Sequence, residues 1–185
     1  MPRRKQLSDE AVLDAALSVM FRKGPADFTL ADVSKTCGIA PATLVQRFGG
    51  KHELIVRAIA QDNEVFARKL QSLPTTPGAS AVIAIFRLMT PDLDEAETLA
   101  DQLLWLRLDV RDPTLNALAR DRFALLRSAV AMRLTHSRFP PLGLARLIEA
   151  QWQGALNQWA VTPEGRLVDY VTNSLAAWFT LTGIE

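Results

Sequence analysis

Apolar residues recur at three- and four-residue spacing from near the start of the chain. Val12, Ala15, Ala16, Val19 and Met20 form one such stripe, the signature of a helix with a single buried face. Ser8 precedes it as a capping residue, with Asp9 and Glu10 in the positive first turn. Lys23-Gly24-Pro25 is predicted to stop this helix, the glycine as cap and the proline as breaker. A second run opens at Thr29, where Asp32 completes a T-x-x-D box and Phe28 is placed to staple onto Val33. Gly38 supplies a turn, Pro41 suits the first turn of a third helix, and Phe48-Gly49-Gly50 ends it. From Lys51 a long amphipathic helix is predicted to run towards Leu73, with Leu54, Ile55, Ala58, Ile59, Val65, Phe66 and Leu70 inward.

Leu73-Pro74-Thr75-Thr76-Pro77-Gly78 is the linker-like stretch, a break between helices rather than a free hinge. Further helical patterns follow near residues 79–89, 92–110, 113–137, 142–160 and 164–181. Pro91, Pro113, Pro140-Pro141 and Pro163 each precede or open one. No β-alternation, internal repeat or low-complexity segment interrupts them. The predicted fold class is all-α, with about nine helices.

The runs on either side of Gly38 are too short to stand alone, since isolated helices below about 12–15 residues are marginal in water. Packing of Val33, Cys37, Ile39, Leu44 and Phe48 against the first helix is expected to hold them. Two short helices joined by a tight turn and braced by a third form a helix-turn-helix. Such a unit presents its second helix to the major groove of DNA, which is wide enough to admit one. Lys51, at the start of the next helix, sets a charge beside orphan N–H groups and suits a backbone phosphate. An αα-hairpin that packs and binds nothing satisfies the same pattern of apolar positions.

Composition and charge narrow the setting. The chain has 185 residues, 49% hydrophobic and 22% charged, which fits one or two compact domains. The one cysteine, Cys37, allows no internal disulfide, so the expected compartment is the cytoplasm. Met-Pro-Arg-Arg-Lys opens like the basic region of a signal peptide, but the acids in the segment after it exclude an apolar signal core. No apolar run approaches the roughly 18 residues of a membrane span. Net charge is only +1, yet residues 1–60 hold nine bases against six acids, an asymmetry that hints at a polyanion-binding N-terminal part. Arg3-Arg4-Lys5 reads equally as an arm reaching DNA or as a solubilising terminus.

Thr29 to Leu54 resembles the N-terminal signature of the tetracycline-repressor (TetR) family, roughly T-x-x-x-I-A-x-x-A-G-V-S-x-G-T-L-Y-x-H-F-x-x-K-x-x-L. Thr29, Val33, Gly38, Ile39, Thr43, Leu44, Phe48, Lys51 and Leu54 stand at the matching places. The resemblance implies a helix-turn-helix DNA-binding domain at residues 1–50 and a helical ligand-binding and dimerisation domain at 51–185. It implies a ligand-responsive transcriptional regulator, a repressor that binds a palindromic operator in double-stranded DNA as a homodimer and is released by a small molecule. DNA contacts are then expected from Thr29, Pro41, Ala42, Thr43, Val45, Gln46, Arg47 and Lys51, with Thr43 and Lys51 on phosphates. The chain departs from the pattern at Ala40, Val45 and Arg47, which replace the usual serine, tyrosine and histidine. Val45 can still meet a thymine methyl, and Arg47 brings a charge to either base or phosphate. These departures keep a second reading open: a co-regulator or scaffold with the same fold and no sequence-specific DNA binding.

Large apolar groups in the C-terminal half suggest two further sites. Phe66, Phe86, Met89, Trp105 and Trp152 are candidates for lining a pocket for a largely apolar or aromatic effector. Ile148, Gln151, Ala155 and Trp159 follow one stripe, and Val168, Val171, Leu175 and Trp178 another. Paired with a two-fold mate, these stripes would make a four-helix dimer interface. Cys37 reads as a small buried residue. His52 and His136 lack neighbours at metal-ligand spacing, and no metal or cofactor is expected. The acids Asp92, Asp94, Glu95, Glu97 and Asp101 fit a solvated helix start. No nucleophile elbow, Walker loop, dinucleotide fingerprint or H-E-x-x-H is present, so no catalytic residue is assigned and an enzyme is not expected.

Overall fold

The computed structural model describes residues 7–92, 95–134 and 139–184, and every regular element among them is a helix. Arg3-Arg4-Lys5, Asp94 and His136 lie outside the described residues, as do the side chains of Pro25, Ala26 and residues 98 and 101–103. The helices are α1 (Asp9–Asp27), α2 (Leu30–Cys37), α3 (Pro41–Phe48), α4 (Lys51–Ser72), α5 (Ala79–Met89), α6 (Ala96–Leu103), α7 (Trp105–Arg111), α8 (Pro113–Ala131), α9 (Pro141–Val161) and α10 (Leu167–Thr182). Among the described residues, no helix is long and apolar enough to cross a membrane.

Local signals set most boundaries. Ser8 Oγ accepts from the Ala11 N–H at 3.2 Å, capping α1. The helix breaks at Gly24, where the glycine–proline pair placed the stop: Gly24 takes φ 68°, ψ 172°, and a second helical stretch carries the element on to Asp27. The segment expected at 92–110 divides at Leu104, which keeps right-handed helical dihedrals (φ −65°, ψ −19°) between α6 and α7. That division makes ten helices among the described residues, where the pattern predicted about nine. Asp112 ends α7 in extended conformation, and its Oδ1 accepts from the N–H groups of Thr114 and Leu115 at 2.8 and 3.0 Å, capping α8. α8 stops at Ala131, short of the expected 137.

The chain folds as two compact units. One comprises residues 1–66 with 101–119, the other residues 67–100 with 120–185. In the first, Val12, Val19 and Met20 of α1 share a core with Phe28, Val33, Leu44 and Phe48, and with Leu54, Ile55 and Ala58 of α4. Trp105 and Leu115 complete that core. The unit therefore does not end at residue 50, because the apolar face of early α4 is buried with the first three helices.

In the second unit α10 packs on both α9 and α5. Arg133, only 1% exposed, is held by carbonyls alone: Nε donates to Pro74 O at 2.9 Å, Nη2 to Leu73 O at 3.2 Å and Nη1 to Ala129 O at 2.9 Å. The Gly78 N–H donates back to Arg133 O at 2.7 Å. The Leu73–Gly78 stretch is thus pinned to the end of α8, a break rather than a free hinge.

Candidate nucleic-acid interface

The α2–α3 pair is tied down by short-range bonds that its sequence specifies. Thr29 Oγ1 accepts from the Asp32 N–H at 3.3 Å, while Asp32 Oδ2 accepts from the Thr29 N–H at 3.1 Å and the Thr29 hydroxyl at 2.6 Å. This is the reciprocal capping box. Lys23 Nζ adds a 2.6 Å contact to Asp32 Oδ1. Lys23, then Thr29, hold the Asp32 carboxyl down to about 2. Gly38 closes α2 at φ 65°, ψ 26°, the left-handed region that L-residues with a Cβ avoid. Its N–H donates to Ser34 O, and Ser34 Oγ donates to Ile39 O at 2.6 Å. A Cβ at Gly38 would meet nothing within 4 Å, so the dihedral, not space, calls for glycine.

α3 buries one face and offers the other. Leu44 and Phe48 are 0% and 3% exposed, while Pro41, Ala42, Val45 and Gln46 lie open. Thr43 is half-buried at the edge. Lys51 is exposed at the first residue of α4, its Nζ 5.5 Å from the Phe28 ring centroid, close enough for a cation–π attraction to orient it. Thr29 is exposed but commits its hydroxyl to the capping box.

Arg47 behaves differently from its neighbours. Its Nη2 donates to Asp9 Oδ1 and to Leu7 O (3.0 Å), and its Nε donates to Asp9 Oδ1 at 3.1 Å. The sequence pattern placed Arg47 on the DNA face, and nothing local signalled a partner 38 residues away. His52, beside Lys51, lacks neighbours at metal-ligand spacing in the sequence and also finds a distant partner. Its Nε2 lies 2.6 Å from Asp112 Oδ2 and its Nδ1 3.5 Å from Glu53 Oε1. Asp112 raises the His52 pKa, desolvation opposes it, and Glu53 adds a lesser rise. Burial pushes the Cys37 thiol up, away from the thiolate that redox chemistry needs.

The other two predicted sets are distributed less simply. Phe66 and Trp105 are buried in the first unit and Phe86 and Trp152 in the second, where Met89 is half-buried. Phe86 and Trp152 pair at 5.8 Å between ring centroids. The Trp152 indole N–H donates to Thr90 Oγ1 at 3.0 Å, and that hydroxyl donates to Phe86 O at 2.8 Å. Of the stripe residues expected at a dimer interface, Ile148, Ala155, Trp159, Val171 and Leu175 are at most 1% exposed within the single chain. Fully covered by their own chain, they have no surface to offer a second copy; Gln151, Val168 and Trp178 keep partial exposure. Glu149, 6% exposed, is bound by Arg127 at 2.6 and 3.0 Å through two parallel bonds. A polar cleft of about 500 Å³ near the α9–α10 turn, lined by Glu164, Arg166, Asp169 and Tyr170 among others, includes none of the predicted ligand residues. Among the described residues no three His, Cys, Asp or Glu side chains converge as a metal site.

Comparison with known proteins agrees with this geometry. Residues 12–58, which span α1 to early α4, match the profile of the bacterial regulatory proteins of the tetR family. The HTH-type transcriptional regulator BetI of Rhizobium meliloti (strain 1021) is 29% identical over 84 residues. That match spans 42% of this chain and 41% of the relative. Over nearly the whole chain the fold resembles solved regulators. One, from Saccharomonospora viridis in complex with choline, has a TM-score of 0.78 at 18% identity, covering 94% of this chain and 96% of that one. Another, from Rhodococcus sp. Rha1, has a TM-score of 0.75 at 16% identity, covering 96% and 98%. Residues 12–58 therefore carry a helix-turn-helix of the tetR type, and the chain as a whole shares the fold of the solved regulators.

Proposed function

We propose that the protein is a repressor that binds a palindromic operator as a homodimer and is released by a small ligand. The observation that carries the proposal is the open face of α3, where Pro41, Ala42, Val45 and Gln46 stand clear of a core that fixes the helix from behind. In this reading α3 enters the major groove, Gln46 reads a base edge, Val45 meets a thymine methyl, and Thr43 and Lys51 hold phosphates. Thr29 lies at the rim of the same surface. A two-fold dimer then requires an inverted repeat whose half-site spacing equals the separation of the two α3 helices.

The dimer surface is assigned to the outer side of α9 and α10. Leu147, Val161 and Leu181 are 58%, 82% and 87% exposed, and Gln151, Gly154 and Trp178 lie half-covered between them. Gln151 Nε2 donates to Ser174 Oγ at 3.2 Å, so the two helices present these residues side by side. Burying them against a mate would form a four-helix interface.

The effector is assigned to the second unit, beside the Phe86–Trp152 pair. Glu149 is already matched by Arg127, so aromatic and apolar contacts, rather than a free carboxylate, would set the ligand chemistry. Choline, bound by the Saccharomonospora regulator, is a first compound to test, since quaternary ammonium groups are also held by aromatic faces.

Selection from random duplexes at low salt tests the reading. The expected product is an inverted repeat, bound with an affinity that falls steeply as salt rises because phosphate contacts release counterions. Binding to no duplex would favour the co-regulator alternative. For an effector, thermodynamic reciprocity requires weaker ligand binding when operator is present, read by tryptophan fluorescence. Equal affinity in both conditions would exclude that compound.

A further inference from the structure

We propose that Arg47 is a positioning residue, one that fixes the end of the recognition helix against the first turn of α1 through Asp9 and does not itself touch DNA. The proposal rests on the reading of α3 as the DNA-reading helix. Arg47 lies in the last turn of α3, next to Gln46, and its side chain is only 16% exposed. Its guanidinium engages Asp9 through both Nε and Nη2, and Nη2 also reaches the Leu7 carbonyl. A planar fork held in this way cannot turn outward to a phosphate without breaking all of these bonds.

A second arginine closes the arrangement. Arg57 of α4 donates from Nη1 to the Arg47 carbonyl at 3.3 Å, and its Nη2 lies 3.5 Å from Asp9 Oδ2. Both guanidinium groups lie over the Phe48 ring, at 5.4 and 5.0 Å from its centroid. The last turn of α3 is therefore gripped by the start of α1 and by α4 together. The placement is electrostatically consistent at both ends. Asp9 sits in the first turn of α1, where a negative charge is favoured, and Arg47 in the last turn of α3, where a positive one is. A reading residue must be held to within about 0.5 Å of its productive geometry. The Arg47–Asp9 latch supplies that restraint for Gln46 by limiting rotation of α3 about its own axis.

Asp9 makes the test decisive, because it lies outside α3. Removing a carboxylate near a polyanion should by bulk electrostatics strengthen DNA binding; loss of the latch should weaken it. With the duplex selected by the unaltered protein, Asp9→Asn and Arg47→Ala are each expected to weaken binding about fivefold, the effect of roughly one partly exposed ion pair. The double variant should be no weaker than the weaker single one, and the salt slope and selected sequence should not change. Unchanged or tighter binding by Asp9→Asn would overturn the proposal. So would a salt slope shallower by about one in Arg47→Ala, the mark of a lost phosphate contact, or an altered selected sequence, the mark of a base reader. Thermal melting of the same four proteins without DNA supplies an independent cycle: coupling between positions 9 and 47 supports the latch, and additive effects overturn it. If the unaltered protein binds no duplex, the DNA reading falls while the melting cycle still decides whether the latch exists.

Discussion

Two pairs of helices in this protein put their apolar residues to different use. In α2 and α3, eight residues each, Val33, Leu44 and Phe48 go inward and leave one coherent open face on α3. In α9 and α10, 21 and 16 residues long, the stripes that pointed to a partner are consumed within the chain. A two-turn helix has room for a single apolar face, so its pattern states which side is buried. α9 buries Leu144, Ile148, Trp152, Ala155 and Trp159 and still exposes Leu142, Leu147 and Val161. A helix apolar on most sides does not declare which side meets its own chain and which a second copy.

Trp159→Ala gives the largest effect with which to break this comparison. Trp159 is 1% exposed, and its indole N–H donates to Gly165 O at 3.2 Å, holding the turn before α10. As a core residue its truncation should cost about 3–5 kcal/mol in unfolding free energy. Leu147→Glu, on the outer side of α9, should leave that core intact and shift sedimentation from dimer to monomer. If Trp159→Ala dissociated the protein at unchanged monomer stability, and Leu147→Glu did nothing to association, the two assignments would have to be exchanged.

A smaller effect sharpens the other half. Gln46→Ala should relax preference at one or two positions of the selected operator, costing about 1–3 kcal/mol of discrimination if its contact is bidentate. Lys51→Ala should instead weaken binding to all sequences alike and flatten the salt slope, because phosphates carry no direct base code. Competition binding against operator variants separates the two outcomes. A Gln46→Ala protein that selected an unchanged site would remove Gln46 from the interface.

What was legible in the sequence follows from the range of the interactions. The capping box at Thr29, the turn at Gly38 and the helix start at Pro41 act over three to five residues, and each stands where the pattern placed it. The all-helical class was readable for the same reason. The Arg47–Asp9 pair spans 38 residues and the His52–Asp112 pair spans 60; neither has a local signature. Trp105 shows the same blindness in the core. Its aromatic ring suggested a pocket, whereas the fold packs it among residues of α1 and α4. The break at Gly24 belongs to the short-range class: the helical dihedrals are lost where the glycine–proline pair placed the stop.

The smallest effect concerns His52 and Asp112, which join the start of α4 to the α7–α8 turn beside the predicted phosphate contact Lys51. The hydrogen bond to Asp112 raises the His52 pKa, with Glu53 adding to it. Asp112 is lowered first by the Leu115 N–H that it caps and then by His52. A group whose folded pKa is raised contributes stability that is complete below its unfolded value and is lost as pH rises through the folded one. For His52 that loss begins above the ordinary 6.5. Asp112 gives the opposite limit: its contribution is present above the ordinary 3.8 and disappears as pH falls through its lowered value. The pair is therefore charged and attractive between these limits and fades on the alkaline side as pH rises through the raised His52 value. Both side chains are exposed enough that screening by salt keeps the effect slight. Asp112→Asn keeps a side-chain oxygen for the α8 cap while removing the charge. An NMR titration of the His52 ring should then show its pKa falling, with Glu53 still 3.5 Å away. The slope of melting temperature against pH between about 6 and 8 should flatten in the same variant. An unmoved His52 titration in Asp112→Asn would show that the pair does not persist in solution, and would detach the start of α4 from the turn it is expected to hold.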